Sequence, residues 1–544
     1  MNHAPAAAPL AADAAADAAA AEAGAPLVLE LEPGEHWWGG TVKDAVQMPF
    51  GATSAYGVDL AVPRHDPAWD SAEDSSQAAP LLVSTHGRVV ASPRPFAFRF
   101  AEGRLEVDGT DVAVLRGGST LRDGFRAASA RLFPPAGRTP ARRLFAAPQY
   151  NTWIETPLVP SEESVLAYAR RILDAGLEPG TIFIDDNWAP DFGTWHFDRG
   201  RFPDPRRLIA TLADWGFDVM LWVVPFISPD SAAFRECERD GLLVRDADGR
   251  TAVRRWWNGF SALLDLSNPA AVDWFTRQLD ALVEIGVAGF KFDAGDVRDY
   301  RADDRVAEPC EPVDMSEAWA RLGLRYAHNE YRACWRMGGQ PLGQRLRDKP
   351  PTWDDAGLGS LVPEMLAQGL LGHPYVCPDM VGGGEVGAMG AMGDRQAADQ
   401  EFFVRYAQIA ALSPMIQFSV NPARALDAEH LAAVKDALAV RAEHLPRILA
   451  LVDEAAVTGE PVVRPMSYHE AGYESVTDQF FLGPDVLVAP VLERGATTRA
   501  LQVPPGTWHA PDGTAHEGPA TVEVPVGLTT LPRLTRAAAG TAPR

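Results

Sequence analysis

From about residue 141 to 453 short apolar runs alternate with amphipathic stretches. The runs are LFAAPQY (144–150), TIFIDD (181–186), DVMLWVVPF (218–226), VAGFKFDAG (287–295), YVCPDM (375–380) and SPMIQFS (413–419). Each is short, rich in β-branched or aromatic residues and bounded by Gly, Pro or Asp, as expected of a strand covered on both faces. Between them lie segments of helical period: SEESVLAYARRILDAG (161–176) with a capping-box start, DPRRLIATLADWG (204–216), NPAAVDWFTRQLDALVEIG (268–286) and SEAWARLGLRYAHNEYRACWRMG (316–338). Repeated βα units over some 300 residues predict a central (β/α)8 TIM barrel over 141–453. Before it, 25–140 shows alternating runs such as LVLELEPG and FAFRFAEGRLEVDG broken by Gly, Pro and Asp, which predicts an N-terminal β-sandwich. After it, 454–544 returns to the same grammar in VTDQFFLGPDVLVAPVLE and RALQVPPGTWHA, which predicts a C-terminal β-sandwich region. The chain therefore reads as a multidomain α/β plus all-β protein.

Composition narrows the partners. A 544-residue chain with 47% hydrophobic and 22% charged residues has ample material for several cores. Its net charge of −24 and pI near 4.9 oppose attraction to nucleic acid or an anionic membrane surface. Cys237, Cys310, Cys334 and Cys377 are far apart without CxxC spacing, which supports neither a zinc site nor a disulfide framework and favours a reducing compartment. Residues 1–24 form an Ala-rich tail in which Asp13, Asp17 and Glu22 interrupt any signal-peptide core. No apolar run approaches the ~20 residues of a membrane span. A cytoplasmic protein is the expectation.

The candidate chemistry centres on Gly286–Asp296, GVAGFKFDAGD. Strand period two puts Lys291 and Asp293 on one face, and such a pair in a buried strand is costly unless paired or used. Asp293 is accordingly read as a catalytic carboxylate at the C-terminal end of a barrel strand, with Asp296 a second acid in the following turn. Other strand ends collect acids beside aromatics: Tyr150 and Trp153, then Asp185, Asp186 and Trp188, then Trp222, and later Asp379. A single such Asp is more often a helix cap. Their repetition beside Trp and Tyr favours a sugar pocket, because two carboxylates flanking an anomeric carbon suffice for glycoside hydrolysis. In EHWWGG (35–40) the tryptophans, Trp37 included, form either a packed corner or a sugar-stacking surface, the corner being favoured. Asp185, Asp186, Asp293 and Asp379 could in principle hold Mg²⁺, but Lys291 and the tryptophans suit a sugar better.

FKFDAGD resembles the nucleophile motif of glycoside hydrolase family 31, the retaining α-glycosidases. DKPPTWDDAGLGSLVPEMLAQGLLGHPYVCPDMVGG resembles that family's acid/base segment, and EHWWGG, APQYNTW, FIDDNW, GRFPDP, MLWVVPFISPDS and DQFFLGPDVLVAPV follow in matching order. The resemblance implies Asp293 as nucleophile and Asp355 as acid/base, with Asp354 the alternative. It further implies Asp185, Asp186, Trp188, Trp222, Lys291, Asp296, Arg345 and Asp379 as substrate-pocket residues, with Trp153 and Trp37 as further aromatic candidates and His373 as either a pocket or a core residue. It implies double displacement with retention, no metal or organic cofactor, a small oligosaccharide or α-glycoside as partner, and room for a homo-oligomer. It is closest to a branch in which α-galactosidase activity is known, so α-galactoside is expected ahead of α-glucoside or α-xyloside. A catalytically silent sugar-binding protein on the same scaffold is the reading from another class.

Overall fold

The structure, a computed structural model, describes residues 26–537 apart from 62–63, 67–70, 74–76, 157–158 and 392–397. The expected Ala-rich tail, 1–24, lies outside the described residues. At the centre are nine short parallel strands: β1 Gln149–Asn151, β2 Thr181–Ile184, β3 Asp218–Val223, β4 Gly289–Phe292, β5 His328–Tyr331, β6 Gln344–Arg345, β7 Val376–Cys377, β8 Met380–Val381 and β9 Gln417–Phe418. They pair in the order β7-β6-β5-β4-β3-β2-β1-β9-β8. Strands β7 and β8 are two halves of one chain passage separated by Pro378 and Asp379, so the barrel has eight staves, one of them broken. The eightfold βα expectation is met.

Helices follow the strands where the pattern placed most of them: α1 Glu162–Asp174, α2 Pro205–Asp214, α3 Pro269–Glu284, α4 Pro312–Gly323, α5 Leu361–Leu370, α6 Gln400–Ala411 and α7 Ala428–Thr458. Their starts are written in the sequence. Ser161 and Ser164 close a capping box on α1, while Asp204 and Asn268 cap α2 and α3 ahead of Pro205 and Pro269.

Two readings of single segments need correction. LFAAPQY is not one strand, because Arg143–Ala146 forms a helical turn and the strand begins at Gln149. The helix expected over 316–338 ends at Gly323, and HNEY then forms β5, with Cys334–Trp335 a further strand. Apolar periodicity missed β5 because its Asn329 and Glu330 are polar yet buried, satisfied by hydrogen bonds inside the barrel.

Strand β4 shows how the barrel sorts its residues. Phe290 and Phe292 pack outward, Phe292 stacking on Tyr331 at 4.8 Å and meeting Trp319 edge-on at 5.2 Å. Lys291 takes the opposite face, in register with Trp222 on β3 and Glu330 on β5. At Gly289 a Cβ would lie 1.9 Å from the His328 carbonyl oxygen, so glycine is required for β4 to approach β5.

The N-terminal region has two antiparallel layers. One joins 27–30, 104–109, 96–101 and 56–59; the other joins 113–116, 88–91, 77–84 and 37–41, and takes in Cys334–Trp335 in parallel from the barrel. The Gln77 side chain donates to the Arg345 carbonyl, tying this sandwich to β6. After α7, 463–464, 480–482, 486–488, 533–536, 498–509 and 515–525 make one six-stranded antiparallel sheet.

A buried ion pair fixes the approach to the loop that follows β6. Lys349, lowered to about 8 by burial, donates to Glu364 on α5, and both side chains are fully buried. Replacing Glu364 with Leu leaves that lysine without its carboxylate. The variant is expected to lose about 3–5 kcal/mol of stability, read as a lowered chemical-denaturation midpoint.

Candidate active site

The C-terminal ends of the barrel strands carry three non-glycine residues with left-handed backbone. Asn187 (φ 66°) follows Asp186, Ala294 (φ 51°) follows Asp293, and Asp379 itself has φ 60°. Such conformations cost roughly 1–3 kcal/mol each and persist where surrounding contacts fix them. All three mark points where the chain turns to present a carboxylate.

Asp293 is buried and fully engaged. Its Oδ2 accepts from Trp222 Nε1 at 3.0 Å, and its Oδ1 accepts from Arg332 Nε at 3.0 Å and from the Ala294 amide at 2.9 Å. Its own amide donates to the Val223 carbonyl at 2.9 Å, which extends the β3–β4 ladder by one residue and fixes the carboxylate's height. Burial alone would raise its pKa. Arg332, then Lys291 and Arg345, overcome that and hold the carboxyl well below the usual range.

Lys291 does not contact Asp293. Its Nζ donates to Asp185 Oδ2 at 2.7 Å, and against burial, which lowers it, Asp185 keeps the amine protonated. Lys291 thus acts on Asp293 only through its field. The direct partner is Arg332, which also reaches Asp296 through its second nitrogen at 2.9 Å. Asp296 therefore supports Asp293 through that arginine rather than by touching it. Arg332 escaped the sequence reading because it lies in the segment taken for a helix; correct parity from Glu330 on β5 would have placed it at a strand end.

Neighbouring staves complete the layer. The Asp185 amide donates to the Thr152 hydroxyl oxygen, and the Asp185 carboxylate accepts from the Asp186 amide. Asp186 accepts from Asn258 Nδ2 at 2.6 Å through one oxygen, while its other oxygen is buried without a partner among the described residues. Burial pushes Asp186 up to about 7. Arg345 bridges Glu330 at 3.3 Å, Asp348 at 2.6 Å and Asp379 at 2.6 Å. Asp379 also accepts the amides of Lys349 and Gly384, which explains why its strained backbone is tolerated at the break between β7 and β8. Trp153 Nε1 donates to the Gly384 carbonyl at 2.8 Å, so the loop after β1 reaches the same corner. Gln417 donates to Glu330 from β9.

Three side chains named from sequence lie elsewhere. Trp37 sits in the core of the N-terminal sandwich, fully buried with the Arg88 guanidinium 5.3 Å from its ring, and is the packed corner rather than a sugar platform. Trp188 is fully buried, its Nε1 donating to the Trp222 carbonyl at 2.7 Å, so it braces the tryptophan that holds Asp293. His373 is buried against Cys334 at 3.4 Å and lowered to about 4 by burial, a core histidine.

A hairpin, Val253–Trp256 paired with Gly259–Leu263, brings two unexpected residues to the site. Asn258 at its tip holds Asp186, and the Trp257 ring lies under the Arg332 guanidinium at 5.6 Å. The acid/base candidates lie on the loop after β6. Asp354 is exposed and acts as a turn former: its carboxylate accepts the Thr352 hydroxyl at 2.7 Å and the Ala356 amide at 3.1 Å, which lower it, and its carbonyl accepts from Gly357 and Gly359. The adjacent Asp355 is exposed. Among the described residues no group of three or more His, Cys, Asp or Glu is arranged to hold a metal ion. Asp185, Asp293, Asp296, Glu330 and Asp379 are instead matched to Lys291, Arg332 and Arg345.

Replacing Arg332 with Gln removes the strongest force favouring ionised Asp293. A nucleophilic role for Asp293 requires its ionised form, and a raised pKa moves its protonation toward neutrality. The acidic limb of kcat/KM should therefore shift upward by roughly 1–3 pH units, measured as a pH–rate profile.

A barrel that gathers carboxylates, an arginine-held aspartate and tryptophans at its strand ends falls in the class of (β/α)8 proteins built for glycoside chemistry. The chain belongs to glycosyl hydrolase family 31: residues 144–451 match that family's TIM-barrel domain and residues 459–539 its C-terminal domain. It is 34% identical over 418 residues to the myogenesis-regulating glycosidase of Mus musculus, covering 74% of this chain and 57% of that protein. It is 27% identical over 423 residues to a sulfoquinovosidase of Agrobacterium fabrum, covering 70% and 62%. The chain thus spans about three fifths of the length of these relatives. Among solved structures it is similar to a Flavobacterium johnsoniae dextranase of the same family complexed with glucose, with TM-score 0.80 and 18% identity over 95% of this chain and 67% of that one. It is also similar to an α-xylosidase from a soil metagenome complexed with xylose, with TM-score 0.79 and 19% identity over 95% and 79%.

Proposed function

We propose that the protein is a retaining, exo-acting α-glycosidase that hydrolyses a terminal, uncharged α-linked hexose, with an α-galactoside as the leading substrate. The observation that carries this reading is the state of Asp293: a buried carboxylate held ionised by Arg332 and aimed by the Trp222 indole at the end of β4. Asp293 attacks the anomeric carbon and forms a glycosyl ester while Asp355 protonates the departing oxygen; Asp355 then takes a proton from water, which releases the sugar. Asp355 is preferred to Asp354 as the acid because Asp354 is committed to its own turn, and the bonds that lower it favour the ionised form. A general acid needs the opposite.

An uncharged sugar is favoured because Lys291, Arg332 and Arg345 are each already bound to carboxylates, so an anionic substituent would have to displace one. The tandem Asp185 and Asp186, with one buried Asp186 oxygen left unpartnered, supports hydroxyl recognition, and an axial or equatorial O4 is decided by one such group. Galactose rests on the motifs shared with the α-galactosidase-containing branch. All four cysteines are free, which fits the reducing cytoplasm. Among the described residues no helix is long and apolar enough to cross a membrane.

A panel of aryl α-glycosides tests the assignment. The account expects turnover of the galactoside to exceed that of the glucoside and xyloside, and of any anionic glycoside, by about 100-fold in kcat/KM. Turnover of the glucoside with none of the galactoside would reverse the choice of sugar while leaving the mechanism intact. Binding without turnover at any pH would favour the silent sugar-binding alternative.

A further inference from the structure

A second cavity opens beside the acid layer, on the far side of Trp222. It holds about 180 Å³ and is lined by Pro190, Asp191, Phe192 and Trp195 from the loop after β2, by Trp222 of β3 and by Ser228 from the segment beyond it. That is roughly ten times the room a single buried water needs. Its walls are aromatic: Trp188 and Trp195 stack at 6.0 Å between centroids, and Phe192 and Trp195 lie 5.9 and 6.5 Å from Trp222. None of Asp185, Asp186, Asp293 or Asp379 is among its lining residues.

The polar groups at this cavity are incompletely used. Trp195 is 3% exposed, and its indole N–H is buried without an acceptor among the described residues, an arrangement that is costly in an otherwise satisfied interior. Asp191 accepts from the Thr194 hydroxyl at 2.6 Å through one carboxylate oxygen, and Ser228, which also lines this space, accepts from the Phe192 amide. Aromatic side chains combined with a carboxylate and a hydroxyl form a surface for a ring that is apolar on its C–H faces and hydroxylated at its edge.

We propose that this cavity is a second saccharide site that takes one pyranose ring, separated from the nucleophile by a single indole. Trp222 lines it and at the same time donates to Asp293. The occupant's hydroxyls meet Asp191 and Ser228, and its ring faces meet the aromatic walls. The inference rests on the glycosidase reading only for the choice of sugar as ligand.

Calorimetric titration of D-galactose and of D-glucose into the full-length protein tests it. Two binding events are expected with at least one of the two sugars. Asp191→Leu, and separately the cavity-filling Pro190→Trp, should weaken one event by about tenfold or more and leave the other within about twofold. A single event untouched by both variants would overturn the second site, as would loss of both events together in the two folded variants. A cavity event that persists while aryl α-glycosides go unhydrolysed would sustain this site and remove the glycosidase reading instead.

Discussion

Replacing Asp293 with Asn lowers kcat on every α-glycoside by about 10⁴-fold or more, whatever the leaving group, because no ester can form and the side-chain amide cannot substitute. The protein should stay folded: Asn retains an acceptor for the Trp222 indole, and Arg332 keeps Asp296. Asp293→Gly separates chemistry from structure. In the presence of azide it should regain turnover of activated aryl substrates and release the glycosyl azide of inverted configuration, since a small anion can occupy the vacated position. Loss of activity without azide rescue, accompanied by a lowered unfolding midpoint, would point to a structural role for Asp293.

The second large effect separates two adjacent carboxylates. Asp355→Asn should cut turnover of substrates with poor leaving groups by about 10²–10⁴-fold while sparing activated aryl glycosides, whose departing oxygen needs little proton assistance. Asp354→Asn should produce a smaller loss, similar for both kinds of substrate, because its carboxylate supports the Thr352–Gly359 turn rather than the departing oxygen. The physical contrast is simple. Asp354 accepts from both the Thr352 hydroxyl and the Ala356 amide on its Oδ1, whereas Asp355 stands exposed beside it. The reverse pattern of leaving-group dependence would transfer the acid/base role to Asp354.

How much of this was legible beforehand follows from what each element buries. Strands such as β2, β3 and β4 announce themselves because their apolar runs are covered on both faces, and helices α1 to α3 because their caps are encoded in Ser161, Asp204 and Asn268. Strand β5 was hidden. Its Asn329 and Glu330 are stabilised by partners from Tyr326, Pro341, Arg345 and Gln417, which no local pattern reveals. The broken stave at Pro378 and Asp379 was hidden for a related reason, since its left-handed aspartate is held by Lys349, Gly384 and Arg345 from other segments.

The acids of the site were legible as a set, while their pairing was not. Lys291 and Asp293 share a strand, which suggests a partnership, but the barrel brings Asp185 to Lys291 and Arg332 to Asp293 from separate staves. Asn258 and Trp257 depend on a hairpin folding back over the strand ends, so nothing short of the tertiary structure places them. The tryptophans divide in the same way. Trp222 and Trp153 reach the acid layer, Trp188 supports it from within the wall, and Trp37 serves a different domain's core.

Asp293 is proposed to form a covalent bond to the sugar. Incubation with a slow-turnover activated fluoroglycoside, followed by proteolysis and mass spectrometry, measures that bond directly. One glycosyl label per chain is expected, on the peptide containing Gly286–Asp296 and localised to Asp293. A label on any other residue, including Asp355 or Asp185, would contradict it.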